Sequence, residues 1–178
     1  MHVNDRLDYD TTSCSISRTL ELVGEKWTIL ILREIWFGAE RFSEFEQTLG
    51  CASNLLGERL RMLVAQGILT TEPYREPGAR TRHRYRLTGK GNSLLPILVA
   101  LTKWGDENLA DEFGPPTVLL HRGCGAPIGL TVRCEDDHEI VGADEVDLQP
   151  GPGARLRDGT LASEDRSSAA RLRSQATS

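Results

Sequence analysis

Residues 52–66 read Ala52-Ser-Asn-Leu-Leu-Gly-Glu-Arg-Leu-Arg-Met-Leu-Val-Ala-Gln66. Leu56, Leu60, Leu63 and Val64 recur at helical spacing, which predicts a helix with one buried face. Ser53, Asn54, Gly57, Glu58 and Arg61 lie three or four residues apart on the opposite face and point outward together. Ahead of this helix, Ser43 to Leu49 forms a shorter amphipathic piece closed by Gly50. Behind it, Gly67 ends the helix and two short basic strands follow. Helix, tight turn, helix with a polar outer face and then a basic hairpin predicts an α+β, mainly α fold, the winged helix-turn-helix. In that order of elements, residues 52–66 are the helix that enters a DNA major groove.

Charge points the same way once it is localised. The chain of 178 residues carries a net −5, which argues against a nucleic-acid partner if taken alone. Residues 52–90, however, hold eight Lys or Arg against three acids, so this segment is +5 and the remainder −10. Phosphates respond to charge within a Debye length of about 8–10 Å, so a local basic segment is the relevant quantity. Hydrophobic residues make up 39% of the chain, with three Trp, enough for a core. No apolar run approaches the ~18 residues of a membrane span. The start, Met-His-Val-Asn-Asp-Arg, has no apolar core of a secretory signal, so a cytoplasmic location is expected. In that setting the four Cys are expected as thiols or metal ligands rather than as a disulfide framework.

Around the central stretch, residues 1–12 are polar and expected to be flexible. Ser13 or Ser15 can cap a helix carrying Ile16, Leu20 and Val23 that stops at Gly24. Lys26 to Phe37 is apolar nearly all round, predicting a central buried helix with Trp27, Leu30, Ile31 and Ile35 in the core. Arg41-Phe42 can form a short strand, with Ser43 capping the next helix and Glu46 completing a capping box. Ile68–Tyr74 and Arg82–Leu87 read as the hairpin, turning at Pro77-Gly78. Alternation puts Arg82, Arg84 and Arg86 on one face of the second strand. Thr88 caps a long helix expected to run to about Glu112, kinked or restarted at Pro96. Its stripe of Leu94, Leu95, Ile97, Leu98, Leu101, Trp104 and Leu109 is wide enough to serve as a dimer interface. The expected domain therefore spans residues 13–113. Pro115-Pro116 marks a boundary, residues 117–148 read as a small β appendage, and residues 149–178 as a disordered tail.

Several of these segments together resemble one family. They are Cys14-Ser-Ile-Ser-Arg-Thr-Leu-Glu-Leu-Val-Gly-Glu-Lys-Trp-Thr-Ile-Leu-Ile-Leu-Arg-Glu34, Arg41-Phe-Ser-Glu-Phe45, Asn54-Leu-Leu-Gly-Glu-Arg-Leu-Arg61 and Tyr85-Arg-Leu-Thr-Gly-Lys-Gly91. They resemble the HxlR-type regulators, relatives of the MarR group of bacterial winged-helix proteins, over roughly residues 12–108. The resemblance implies a homodimeric DNA-binding transcription factor, with a repressor expected, and with dimer contacts from its first and last helices. Many members open the recognition helix with Ser-x-Lys or Ser-x-Arg. Ala52-Ser53-Asn54 departs from that pattern, so the base-reading residue does not transfer.

Ser53, Asn54 and Arg61 are the candidates for base edges or phosphates, with Gly57 on the same face. Asn pairs with adenine and Arg with guanine. The plain alternative is a solvated helix face. Arg59, nearer the apolar side, reads either as a DNA contact or as an ion pair with Glu44 or Glu46. Arg80, Arg82 and Arg84 are the wing candidates for phosphates or a minor groove, set against an edge strand charged to block aggregation. Cys14 opens the first helix, where the dipole can lower a thiol pKa. The resemblance implies that some members sense quinones, aldehydes or oxidants at this place; the alternative is a small buried hydrophobe. Cys51 shares the helix-start argument alone. His121-Arg-Gly-Cys124-Gly has the form of a zinc knuckle that Cys134 and His138 could complete, against a metal-free remnant; no other cofactor is expected. The expected partners are double-stranded DNA with a near-palindromic operator and a second copy of the chain, without a membrane. Nothing offers a Gly-rich phosphate loop, paired carboxylates or a nucleophile beside a base, so an enzyme is not expected. The remaining readings are a winged-helix interaction module without DNA binding and a regulator responding to a small ligand.

Overall fold

A computed structural model describes residues 8–75, 78 and 80–162. The chain forms two compact units, one of Leu22–Thr131 and one of Met1–Glu21 with Val132–Ser178. In chain order the elements are α1 (Ser15–Val23), α2 (Lys26–Trp36), α3 (Phe42–Leu49), α4 (Ser53–Ala65), β1 (Leu69–Tyr74), β2 (Arg82–Leu87), α5 (Gly89–Asn92) and α6 (Leu95–Asn108). Among the described residues no helix is long and apolar enough to cross a membrane.

The core of the Leu22–Thr131 unit gathers on α2, which contacts α3, α4 and β2. Thr28, Ile31, Leu32 and Ile35 form its buried stripe at spacings of three and four. Ile31 and Ile35 lie where the sequence placed them. Trp27 and Leu30 are only half-buried, while Leu32 is fully enclosed. Against α2 pack Phe45 of α3 and Leu56, Leu60 and Leu63 of α4, all with 0% exposure. Val64, expected among them, is half-buried.

The start of α3 corrects the expected cap. Glu44, not Glu46, reaches back, its carboxylate accepting from the amides of Glu40 (2.7 Å) and Arg41 (2.8 Å). The cap therefore lies two residues earlier, at Arg41, with Ser43 inside the first turn. Those amide hydrogen bonds, the Glu40 one foremost, hold the Glu44 carboxyl below the usual carboxylate range. Arg41 also bridges Arg84, and the Tyr85 amide donates to the Glu40 carbonyl at 2.7 Å. The short strand expected at Arg41 thus exists as a single residue laid beside β2.

The wing pairs β1 and β2 antiparallel, Leu69 opposite Leu87 and Glu72 opposite Arg84. Its expected Pro77-Gly78 turn lies partly outside the described residues. Thr88 does cap the following helix, its Oγ1 accepting from the Gly91 amide at 3.1 Å. That helix is short, however. The chain breaks at Ser93-Leu94, and α6 restarts with Pro96 in its first turn and stops at Asn108, short of Glu112. Proline has no amide to continue the ladder and collides with the carbonyl four residues back, so a restart is the low-energy solution.

The apolar runs of the expected β appendage form no regular strand among the described residues. Residues 117–131 contain the isolated bridge Leu120–Pro127, and residues 132–148 the bridge Arg133–Glu139 and a 3-10 turn, Ala143–Glu145. Runs of only two to four apolar residues, separated by Gly and charged turns, support single bridges rather than ladders. Residues 149–162, expected to be disordered, are organised instead. Arg155 bridges Leu161, Leu156 bridges Tyr9, and the Asp10 amide donates to the Arg155 carbonyl at 2.8 Å. Backbone pairing of this kind needs little apolar surface, so composition gives no sign of it. Residues 163–178 of the expected tail and residues 1–7 of the expected flexible start lie outside the described residues.

Candidate nucleic-acid interface

Burying Leu56, Leu60 and Leu63 forces the other side of α4 outward. Ser53, Asn54, Glu58 and Arg61 are exposed, and Gly57 is half-buried, its missing Cβ position 3.9 Å from the Phe42 ring. Among the described residues no hydrogen bond or ion pair engages the side chains of Asn54 or Arg61. The Ser53 hydroxyl, in contrast, donates to the Glu46 carboxylate across the turn, so that side chain is in use in the unbound protein. Arg59 is half-buried and ion-pairs with Glu25 at 3.8 Å rather than with Glu44 or Glu46. It therefore ties α4 to the turn before α2. Arg61 leans toward the wing, where its charge opposes the rise that burial gives the Tyr85 phenol.

The three wing arginines on one face of β2 do not share one environment. Arg86 reaches Glu40 at 2.6 Å and Glu72 at 2.7 Å, and Arg84 approaches Glu40 at 3.9 Å. Arg41 and Arg84 each place a guanidinium 4.9 Å from the centre of the Tyr74 ring. Arg84 and Arg86 thus fix the wing to Glu40, two residues ahead of α3. Arg80 and Arg82 are exposed and, among the described residues, enter no ion pair. The sequence reading missed Glu40, Glu72 and Tyr74 as the parts that lock the wing; the available signal was Glu72 at the register position facing Arg84.

Cys14 is half-buried just ahead of α1, its amide donating to the Thr11 carbonyl at 3.1 Å and its carbonyl accepting from the Arg18 amide at 3.0 Å. Cys51 precedes α4 but is buried in the core cluster. His121 Nδ1 lies 3.2 Å from Cys124 Sγ, and Cys134 Sγ lies 3.5 Å from His138 Nδ1. Each pair brings together two side chains of the kinds that serve as zinc ligands. Among the described residues no group of three or more His, Cys, Asp or Glu is placed to hold a metal ion.

A helix-turn-helix with a charged outer helix, followed by a two-stranded wing, defines a winged-helix transcriptional regulator. The chain belongs to the HxlR-like helix-turn-helix family, whose model matches residues 22–113. It is 43% identical over 143 residues to a helix-turn-helix-type transcriptional regulator of Mycobacterium tuberculosis, covering 80% of this chain and 89% of that one. A second such regulator, from Synechocystis, is 36% identical over 111 residues, covering 62% and 81%. Among solved structures, PA1607, assigned as a transcription factor, superposes with a TM-score of 0.70 at 34% identity, covering 78% of this chain and 96% of that one. The redox regulator HypR in its oxidized form gives 0.50 at 30% identity, covering 55% and 100%. The family and these relatives are transcriptional regulators, not enzymes.

Proposed function

We propose that the protein is a homodimeric, sequence-specific DNA-binding repressor, with α4 in the major groove and the wing on the backbone or minor groove. The observation that carries this reading is the surface of α4. Among the described residues, no hydrogen bond or ion pair engages the side chains of Asn54 and Arg61, nor those of Arg80 and Arg82 on the wing beside them. Buried and paired side chains stabilise the fold, whereas these four are available to a ligand. The test is fluorescence anisotropy of a duplex from the gene's own upstream region against a scrambled duplex, over a salt series. Preferential binding with a steep negative salt slope is expected. Equal affinity for both duplexes would overturn the reading.

The dimer is proposed from two bare apolar helix faces. Ile16 of α1 is 71% exposed and Trp104 of α6 is 59% exposed, with Leu20, Leu101 and Leu109 also open. Water-exposed apolar stripes of this kind are what a second copy would cover. Recognition helices would then repeat about 34–36 Å apart on a near-palindrome. Trp104→Ala should raise the dimer dissociation constant by at least roughly tenfold, as for a buried interface Trp, and operator affinity should fall with it. Light scattering that finds a monomer for the unmutated chain at micromolar concentration would sink this.

Cys14 is proposed as a thiol switch, in keeping with the likeness to HypR. Its partial exposure admits a thiol reagent. Alkylation or disulfide formation there would disturb the packing of α1. Diamide treatment should abolish operator binding in wild type and spare Cys14→Ser. Equal loss in both proteins would move the switch to another cysteine, and no loss in either would leave Cys14 a packing residue.

A further inference from the structure

The unit of Met1–Glu21 with Val132–Ser178 holds a concavity of about 740 Å³ between the start of α1 and residues 148–155. That volume is within the roughly 300–1,000 Å³ of pockets that take small molecules. Tyr9, Leu148 and Pro150 give it apolar walls, and its charged groups are Asp10, Arg18 and Arg155. Two of these three are already engaged. The Asp10 carboxylate accepts from the Thr12 amide at 2.9 Å and the Thr12 hydroxyl at 2.6 Å, and the Arg155 guanidinium donates to the Gly159 carbonyl at 3.1 Å. Asp10 also lies in the field of Arg155, so those two charges offset one another. Arg18 differs: it is exposed, and among the described residues no hydrogen bond or ion pair engages its side chain.

We propose that this concavity binds a small organic anion, with its carboxylate on Arg18 and its apolar body against Tyr9, Leu148 and Pro150. A guanidinium presents paired N–H donors that fit a carboxylate edge to edge. With Asp10 and Arg155 cancelling, the lining keeps one positive charge, which disfavours a cation, and a neutral molecule forgoes the charge-assisted bond. The first turn of α1 carries no acidic residue, so the positive end of its dipole adds to the attraction. Arg18 projects about half a turn away from Ile16 and Leu20, the pair proposed to meet a second copy, so dimerisation leaves its guanidinium accessible. Occupancy needs neither DNA nor a modified Cys14. Cys14 borders the same space, however, so a bound anion would cover its thiol.

The test titrates the full chain with 2-naphthoate and with its neutral isostere 2-naphthamide, by isothermal titration calorimetry. The acid should bind at least about tenfold more tightly, the scale of a hydrogen bond to a charged group. Arg18→Gln should bring the two dissociation constants together by weakening the acid alone. Arg122→Gln, outside the concavity, should keep the preference. Gly153 lines the concavity and has open space where a Cβ would stand, so Gly153→Trp should fill it and abolish binding of both probes. Thermal melts check that the three variants stay folded. Equal affinities for acid and amide, absence of binding by either, or an unchanged preference in Arg18→Gln would overturn the site. Undiminished binding by Gly153→Trp would do the same. Loss of the DNA-binding reading, by contrast, would leave the site standing.

Discussion

Gly91→Ala should destabilise the Leu22–Thr131 unit by up to about 2 kcal/mol net. A Cβ at this position would overlap the Ile68 carbonyl oxygen and come within 2.9 Å of Leu87 Cδ2. The carbonyl cannot step aside cheaply, because it accepts from the Thr88 amide at 3.1 Å and from the Thr88 hydroxyl at 3.2 Å. Overpacking of this kind costs roughly 1–3 kcal/mol and sometimes more, and the helical preference of Ala over Gly returns only about 1. The midpoint of urea unfolding should fall accordingly. Gly89→Ala is the control, since no atom lies within 4 Å of its added Cβ. Equal midpoints for the two variants would show that α5 does not approach Ile68 and Leu87 as closely as described.

On DNA the largest effect is expected from Asn54→Ala and Arg61→Ala. Each should reduce the ratio of operator to scrambled affinity by the ~1–3 kcal/mol that a good base contact contributes. The two residues sit two helical turns apart without a shared partner, so their losses should be close to additive. Arg82→Ala, by contrast, should leave the ratio unchanged. Retention of operator preference by Arg61→Ala would mean that α4 does not lie in the groove as proposed.

How far residues disclose structure depends on whether the deciding contact is local. The buried faces of α2 and α4 repeat every three or four residues, so periodicity alone located them, and the wing announced itself through alternation between turn signals. The α3 cap was not legible. Ser43 with Glu46 and Arg41 with Glu44 both fit a residue-plus-three pattern, and the pairing of Glu40 with Tyr85, 45 positions along the chain, favours the second. The locking of Arg84 and Arg86 by Glu40 is equally remote in sequence, so a stripe of three arginines looked uniformly available. Residues 149–162 failed for a different reason. A Gly- and Pro-rich segment offers nothing to a hydrophobicity argument, yet its amides and carbonyls find Asp8, Tyr9 and Asp10.

That last pairing has a consequence during synthesis. Tyr9 and Leu156 are partners, yet about 150 residues separate them, so the ribosome releases the first long before making the second. At about 5–20 residues per second, the interval is roughly ten to thirty seconds. The helix-turn-helix between them has nearer partners to find, none of the pairings named above spanning more than about half that distance, and can form in that time. The segment carrying Cys14 then waits unclasped on the nascent chain until Leu156 has been made, and a ribosome stalled before that residue holds it in that state.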